Sequence, residues 1–219
     1  MLPMSKHLSK TQPLADRIND GLKRIAAAMR SDDWAAAQAL GVNPTQLQIL
    51  TYLDGRTGGM RVTEIAAHLG VSQPTATDSI TALERKGYVA RTAGTDRRST
   101  TIGITADGRD ALREAGRSEN VTRTALAALP AEEQQELLMS LVKVIGTLQD
   151  AGAIPIQRMC ASCKYFEPHR HAGGAAPHHC HFVDAPLRRQ DFRVDCREHE
   201  IADPKTRAAA WASLQTGQA

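Results

Sequence analysis

The sequence predicts a mainly helical chain with one small β-hairpin, followed by a separate segment rich in cysteine and histidine. Three observations lead to this prediction. Apolar residues recur at helical spacing in most of residues 14–148. One short stretch, residues 88–104, alternates with the period of a β-strand instead. All four cysteines, all three phenylalanines and six of the eight histidines lie between residues 160 and 199.

Length and composition limit the class of protein. The 219 residues suffice for one domain with an appendage or for two small domains, and 42% apolar with 23% charged residues is a globular composition. No stretch approaches the roughly 20 apolar residues that span a bilayer, and the first residues lack the apolar run of a signal peptide. We therefore expect a cytoplasmic protein without a membrane partner. The formal net charge of +3 permits an anionic partner without requiring one.

The first predicted helix carries a stripe of apolar side chains. Its members recur every three or four residues and therefore share one face, which must be buried against a core or a partner. They are Leu14, Ile18, Leu22, Ile25 and Met29.

Three shorter helices follow, each with sequence signals at its ends. Asn43 caps the first of them, with Pro44 at its first position; residues 62–69 form the next, and Ser72 caps the third. Each ends where a glycine permits the chain to turn, at Gly55, Gly70 and Gly87.

A hairpin and further helices complete the first region. Residues 88–92 are predicted as a strand, 93–96 as a turn and 99–104 as the returning strand. Beyond Thr105 we predict that the chain is helical again to about Ala128. After a break at Pro130, a further helix is predicted through Leu148, and a short closing helix from Asp203 to Leu214.

Two short helices joined by Gly70-Val71-Ser72 and followed by a hairpin form a helix-turn-helix with a wing. The second helix begins with small polar side chains, Ser72, Gln73, Thr75 and Thr77, which allow its N-terminus to approach a base edge. Its exposed amides also favour a phosphate.

The same residues suit direct reading of DNA. Gln73 can pair bidentately with adenine, while Thr75 and Thr77 can accept, donate or touch a thymine methyl. Arg85 and Lys86, at the far end of the helix, are placed to hold phosphate.

The tip of the hairpin is basic. Arg97 and Arg98 follow Asp96 on a short protrusion. An arginine there can enter a narrow minor groove, where the negative potential is enhanced.

These segments resemble the MarR family of bacterial winged helix-turn-helix regulators. Ser72-Gln73-Pro74-Thr75 followed by Leu83-Glu84-Arg85-Lys86-Gly87-Tyr88-Val89 is similar to that family's recognition helix and first wing strand. Asp96-Arg97-Arg98 through Ile104-Thr105-Ala106-Asp107-Gly108 is similar to its wing and the step into the next helix. The similarity covers about residues 12–150.

The resemblance implies a homodimer, formed by the first helix and the last two helices, that binds a pseudo-palindromic operator in double-stranded DNA. It also implies major-groove positions for Gln73, Pro74, Thr75 and Thr77 and a wing-tip position for Arg97 and Arg98. Because residues 61–110 hold nearly equal numbers of basic and acidic residues, affinity must come from the placement of charges rather than from their sum.

The cysteines predict a metal centre. They are arranged as Cys160-x2-Cys163-x16-Cys180-x15-Cys196, a set of four thiolates in which one pair is close. Zinc commonly takes two close pairs, whereas an iron-sulfur cluster also tolerates this looser spacing, so both metals remain open. His181 or His199 could replace a thiolate or support one. The other interpretation of the cysteines is a pair of disulfides or four inert thiols.

Four segments are predicted: residues 1–40, a tail and dimerisation helix; 41–110, the winged helix-turn-helix DNA-binding domain; 111–153, dimerisation helices; and 154–219, the cysteine-rich metal-binding domain. Together they predict a DNA-binding transcriptional regulator, a repressor rather than an enzyme, with a metal centre that senses redox state or metal. A small-molecule effector stays open. The alternative is a redox protein or electron carrier that keeps the winged helix as a scaffold, although the sequence has no nucleotide-binding glycine motif.

Overall fold

The computed structural model describes residues 12–56, 58–93, 100–116 and 120–216. Within these ranges the chain is mainly helical with a small antiparallel hairpin, which confirms the predicted fold class. The elements of the first region are α1 (Leu14–Ala39), α2 (Pro44–Leu53), α3 (Val62–Leu69), α4 (Gln73–Arg85), β1 (Val89–Ala93), β2 (Thr100–Ile104), α5 (Ala106–Ala115), α6 (Val121–Ala127) and α7 (Ala131–Asp150). The C-terminal region adds β3 (Phe166–Glu167), β4 (His178–Cys180), β5 (Ala185–Leu187) and α8 (Pro204–Thr216).

The predicted ends of the short helices are confirmed. The Asn43 side chain accepts from the backbone N–H of Gln46 at 2.8 Å, and the Gln46 side chain accepts from the N–H of Asn43, which is a capping box at the start of α2. Gly70 ends α3 in the left-handed conformation, with φ of 65°. Ser72 caps α4 as expected, and Gly87, with φ of 75°, turns the chain towards β1.

A single apolar core joins α2, α3, α4 and the hairpin. Its side chains are buried and closely packed, so the elements cannot rotate without opening cavities. The members from these elements are Leu47, Ile49, Leu50, Leu53, Ile65, Ile80, Leu83, Val89 and Ile102.

The hairpin has an extra edge that the sequence did not indicate. β1 and β2 pair antiparallel, and Met60 exchanges backbone hydrogen bonds with Ile102 of β2 at 2.8 and 2.9 Å. Gly59 permits this close approach, because a Cβ there would lie 2.9 Å from the Ile102 carbonyl oxygen. The predicted turn lies, from residue 94 onwards, outside the described residues.

The helical structure predicted from Thr105 to about Ala128 consists of two helices, α5 and α6. Asn120 caps α6, and its side chain accepts from the N–H of Arg123 at 2.6 Å. Asp32 of α1 accepts from the N–H of Thr122 at 3.0 Å. These side-chain acceptors satisfy the free N–H groups of a new helix start.

The C-terminal region shares its core with α7. β3, β4 and β5 form a small sheet in that order, and α8 lies close to the predicted position of the closing helix. The buried residues that meet here come from α7, the sheet region and α8: Val142, Ala161, Phe166, Phe192, Ala210 and Leu214. The region is therefore packed against the first region through α7.

Two apolar stripes remain uncovered in this single chain. On α1 the predicted stripe from Leu14 to Met29 is 39–64% exposed. On α7 the exposed apolar residues are Leu137, Leu141, Val144 and Leu148, at 36–50%. None of the helices in the described ranges has the length and apolar character needed to cross a bilayer.

Gly146→Ala tests the contact between α7 and α8. A Cβ at Gly146 would lie 2.1 Å from a ring carbon of Trp211, so the ring must move. Alanine normally favours a helix by up to about 1 kcal/mol over glycine, but overpacking costs about 1–3 kcal/mol. We expect a net loss in the free energy of unfolding, measured by urea denaturation.

The matched control for this variant is Ser140→Ala, at an exposed position of the same helix. It should leave the free energy of unfolding unchanged or raise it by a few tenths of a kcal/mol, to about 0.5 at most. If Gly146→Ala stabilised the protein as much as the control, the close contact between Trp211 and Gly146 of α7 would be contradicted.

Candidate nucleic-acid interface and cysteine cavity

The N-terminus of α4 presents polar side chains to solvent. Ser72, Gln73, Pro74 and Thr75 are exposed, whereas Ala76 is fully buried behind them. The Ser72 hydroxyl oxygen accepts from the N–H of Thr75 at 3.2 Å, and the two hydroxyl groups lie 2.8 Å apart. The cap and Pro74 therefore start the helix in a defined position, with the predicted reading residues on the outside.

Hydrogen bonds within the first turn of α4 limit which contacts its side chains can make with a base. The Thr77 hydroxyl donates to the Gln73 carbonyl oxygen at 2.8 Å, so its proton is already used within the helix. A base can therefore find an acceptor and a methyl group at Thr77, but not a donor. Within the described residues the exposed Gln73 amide has no hydrogen-bond partner, which leaves both its donor and its acceptor for a ligand.

The exposed face of α4 also carries Asp78, which the sequence indicated only as one of several charges. This residue is exposed on the side of the helix away from buried Ile80 and Leu83. A carboxylate in that position accepts from the amino group of cytosine. In the sequence, the position of Asp78 on the polar face of the same amphipathic helix as Gln73 could have identified it as a candidate contact.

Basic side chains lie at the far end of the helix. Arg85 and Lys86 are exposed, while Glu84 is paired with Arg91 of β1, with Nε 3.0 Å from the carboxylate. That pair removes one acid from competition with phosphate. Arg97 and Arg98, the predicted wing-tip residues, lie outside the described residues.

All four cysteines line one small cavity. Cys160 and Cys163 bracket a 3-10 turn at Cys160–Ser162, Cys180 ends β4, and Cys196 lies in the segment before α8. The cavity measures about 50 Å³, and all four residues are free thiols. The fold thus brings together residues that are distant in sequence, and a pair of disulfides is not the arrangement found here.

The walls of this cavity combine apolar cover with charge. They are formed by Tyr165, Phe182, Val183 and Leu187 together with Asp191, Arg193 and Glu198. The N–H of Arg193 donates to Cys160 Sγ at 3.3 Å, and Arg193 Nη1 lies 3.8 Å from Cys196 Sγ. An N–H group and a guanidinium aimed at sulfur stabilise thiolate charge, a role for Arg193 that no sequence pattern indicated.

Burial opposes the charged form of these thiols. It raises the pKa of Cys160 to about 11 and also raises the pKa of Cys196. A thiol with such a pKa keeps its proton at neutral pH, unless a cation replaces the proton.

The four cysteines line a cavity without forming a compact set of ligands. Among the described residues, no three His, Cys, Asp or Glu side chains converge closely enough to hold a single metal ion. The four cysteines instead surround a space.

The histidines of the region have other partners. His181 Nε2 lies 2.8 Å from Glu167, and His199 Nε2 lies 2.9 Å from Ser162 Oγ, in the turn between two cysteines. Neither lines the cysteine cavity. Burial lowers the pKa of His178, which packs on two phenylalanine rings, to about 4, so it is a neutral core residue.

Similarity to a known family covers the helix-turn-helix and the first wing strand. A sequence model of the MarR family matches residues 40–99. No curated protein matches the chain significantly.

Among solved structures, CouR from Rhodococcus jostii RHA1 with p-coumaroyl-CoA has a TM-score of 0.53 at 22% identity, over 67% of this chain and 98% of that one. The S. aureus MepR–DNA complex has a TM-score of 0.52 at 20% identity, over 63% and 100%. BldR from Sulfolobus solfataricus has a TM-score of 0.50 at 24% identity, over 61% and 94%. These likenesses establish a winged-helix fold, and within that fold residues 40–99 are similar to the MarR family.

Proposed function

We propose that the protein is a homodimeric, sequence-specific DNA-binding transcriptional regulator that acts as a repressor in the cytoplasm. The observation that carries this proposal is the exposed polar N-terminus of α4, held on a rigid core and followed by basic residues. The match of residues 40–99 to the MarR family and the fold shared with MepR, which has been solved in complex with DNA, support it. Gln73, Thr75 and Thr77 would read the major groove, and Arg85 would hold phosphate.

A second copy of the chain is the partner that the uncovered stripes of α1 and α7 suggest. Apolar faces of this length are costly in water, and two copies of the chain joined through them would form a dimer with two α4 helices. Such a pair would read half-sites about 34 Å apart, which is one turn of DNA. A pseudo-palindromic operator follows from the two-fold symmetry.

The cysteine cavity would hold the second component, a metal centre on Cys160, Cys163, Cys180 and Cys196. The shared cavity, its apolar walls and the N–H group directed at Cys160 support this proposal. Of the two candidates, we propose an iron-sulfur cluster rather than zinc, because one close cysteine pair with two single cysteines is a spacing that such a cluster tolerates. When bound, such a cluster supplies sensitivity to oxidants and to iron supply. CouR, another structural relative, carries an acyl-CoA, so an organic effector would be the competing signal.

Gln73→Ala tests the major-groove assignment. We expect it to weaken binding to a duplex selected from a random pool by the unmodified protein, by about 1–3 kcal/mol, because alanine cannot pair bidentately with a base. Gel shifts would measure this, with Gln215→Ala, at an exposed glutamine of α8, as the control. Equal affinity of the two variants would remove Gln73 from the interface.

Replacing Arg97 and Arg98 together with Ala tests the wing. For each phosphate that the variant no longer binds, the slope of log affinity against log salt should fall by about 1, and affinity should decrease for all sequences alike. Gel shifts at several salt concentrations measure the slope. An unchanged slope would show that the wing does not contact DNA. If the unmodified protein bound no duplex at any salt concentration, the result would favour the redox protein or electron carrier.

Cys163→Ser tests the metal centre. Anaerobically purified protein should be brown and contain iron and sulfide, and the variant should be colourless because one of four ligands is gone. Tyr165→Phe, which alters another wall of the cavity but no sulfur, should keep the metal. Colourless protein with stoichiometric zinc would replace the cluster by a zinc site, and full metal content in Cys163→Ser would exclude that residue as a ligand.

A further inference from the structure

The segment that contains Cys196 is attached to the winged helix by two ion pairs. Asp195, just before Cys196, lies 3.2 Å from Arg56 Nη2, and Nη2 of Arg197, just after it, lies 3.1 Å from the Asp54 carboxylate. Asp54 and Arg56 lie just beyond the end of α2. We call residues 195–197 the docking strap, because one cysteine of the cavity lies between two residues that contact the DNA-binding domain.

The two ion pairs are unequal. Arg197 and Asp54 are 66% and 34% exposed, and such a pair contributes little. The Arg56 side chain is only 4% exposed. Its guanidinium stacks on the Tyr52 ring at 3.7 Å and donates to the Tyr52 carbonyl oxygen. A buried cation depends on its counter-charge, and the C-terminal region supplies that counter-charge through Asp195.

The contacts continue from Arg56 to the turn before the recognition helix. The Tyr52 ring stacks on His68, with 3.8 Å between ring centroids and 20° between the planes. His68 lies in the last turn of α3, immediately before the Gly70 turn that leads to the Ser72 cap of α4. A displacement of Arg56 would therefore disturb Tyr52 and, through the ring contact with His68, the last turn of α3.

The docking strap also contacts the rest of the C-terminal region, through Arg158 and the cysteine cavity. The N–H of Cys196 donates to the Arg158 carbonyl oxygen at 2.9 Å, and the Arg158 side chain donates to the carbonyl oxygen of Arg197. The Cys196 side chain lines the cavity. Since neighbouring Cα atoms are about 3.8 Å apart, any ligand that fixes Cys196 Sγ also restricts Asp195 and Arg197.

We propose that the docking strap transmits the state of the cysteine centre to the helix-turn-helix, with Asp195 and Arg197 as the positioning residues. This inference rests on the proposed metal centre and names the way in which it regulates DNA binding. With Cys196 ligated, the strap holds Arg56 in place. When the centre is lost, the strap is released, the buried Arg56 loses its partner, and the end of α2 and the α3–α4 turn move.

The test uses the full-length protein with Asp195→Ala and Arg197→Ala combined. The control is Arg170→Ala, which breaks an exposed pair with Glu167 inside the C-terminal region, where no residue of the winged helix takes part. Each protein is purified anaerobically and divided into a metal-loaded sample and a sample stripped with a chelator under reducing conditions. Metal content is measured first and should be the same for all loaded samples.

The first readout is affinity for the duplex selected by the unmodified protein. Loaded and stripped forms of the unmodified protein and of Arg170→Ala should differ by about 5-fold or more, the lower end of usual allosteric coupling. In the double variant the difference should shrink to less than about 2-fold, because the two states no longer differ at Arg56. A double variant that keeps the full difference would overturn the proposal.

The second readout is amide hydrogen exchange of residues 52–71, which needs no DNA. Exchange there should increase on stripping in the unmodified protein, and it should already be high in the loaded double variant. Identical exchange in loaded and stripped unmodified protein would overturn the strap alone. If the protein did not bind DNA, the proposed regulator would be wrong, and hydrogen exchange alone would still test the docking strap. If the purified protein held no metal, both the metal centre and the docking strap would be overturned.

Discussion

The burial of one face of α4 is the constraint on which the winged-helix region depends. Ile80 and Leu83 are completely buried against Ile49, Leu50 and Leu53 of α2 and against other core residues. A helix anchored at two successive turns cannot rotate without leaving cavities, and truncating a buried side chain of this size to alanine costs about 2–5 kcal/mol. The opposite face and the N-terminus are therefore kept outside, so the orientation of the polar residues follows from packing rather than from their own interactions.

A second constraint concerns the size of the C-terminal region. Its apolar core consists of a few side chains and depends on Val142 of α7 for part of its packing. Small units of this kind seldom fold on hydrophobic burial alone and commonly need disulfides or a metal. The four thiols around one cavity are suited to that purpose, and the hydrogen bond from Arg193 to Cys160 directs polar backbone towards the same point. Folding and metal binding are then expected to be linked.

Two ion pairs join the segment around Cys196 to the residues just beyond the end of α2. A buried cation such as Arg56 is sensitive to the position of one carboxylate, that of Asp195, because its desolvation is offset only by a well-placed partner. The same contact places Cys196 within one residue of the interface between the two regions. One short segment can thus both line the cysteine cavity and contact the winged-helix region.

The sequence by itself determined the helices, the turn between them, the hairpin and the set of four cysteines, because capping residues, glycines and apolar periodicity act over a few residues. It did not locate the start of α6, where Asp32, remote in sequence, accepts from the N–H of Thr122. Only the tertiary structure decided that Cys180 and Cys196 meet the Cys160 pair, and that Asp195 reaches Arg56. Each of these depends on residues far apart in the chain, whose proximity arises from packing that no local pattern records.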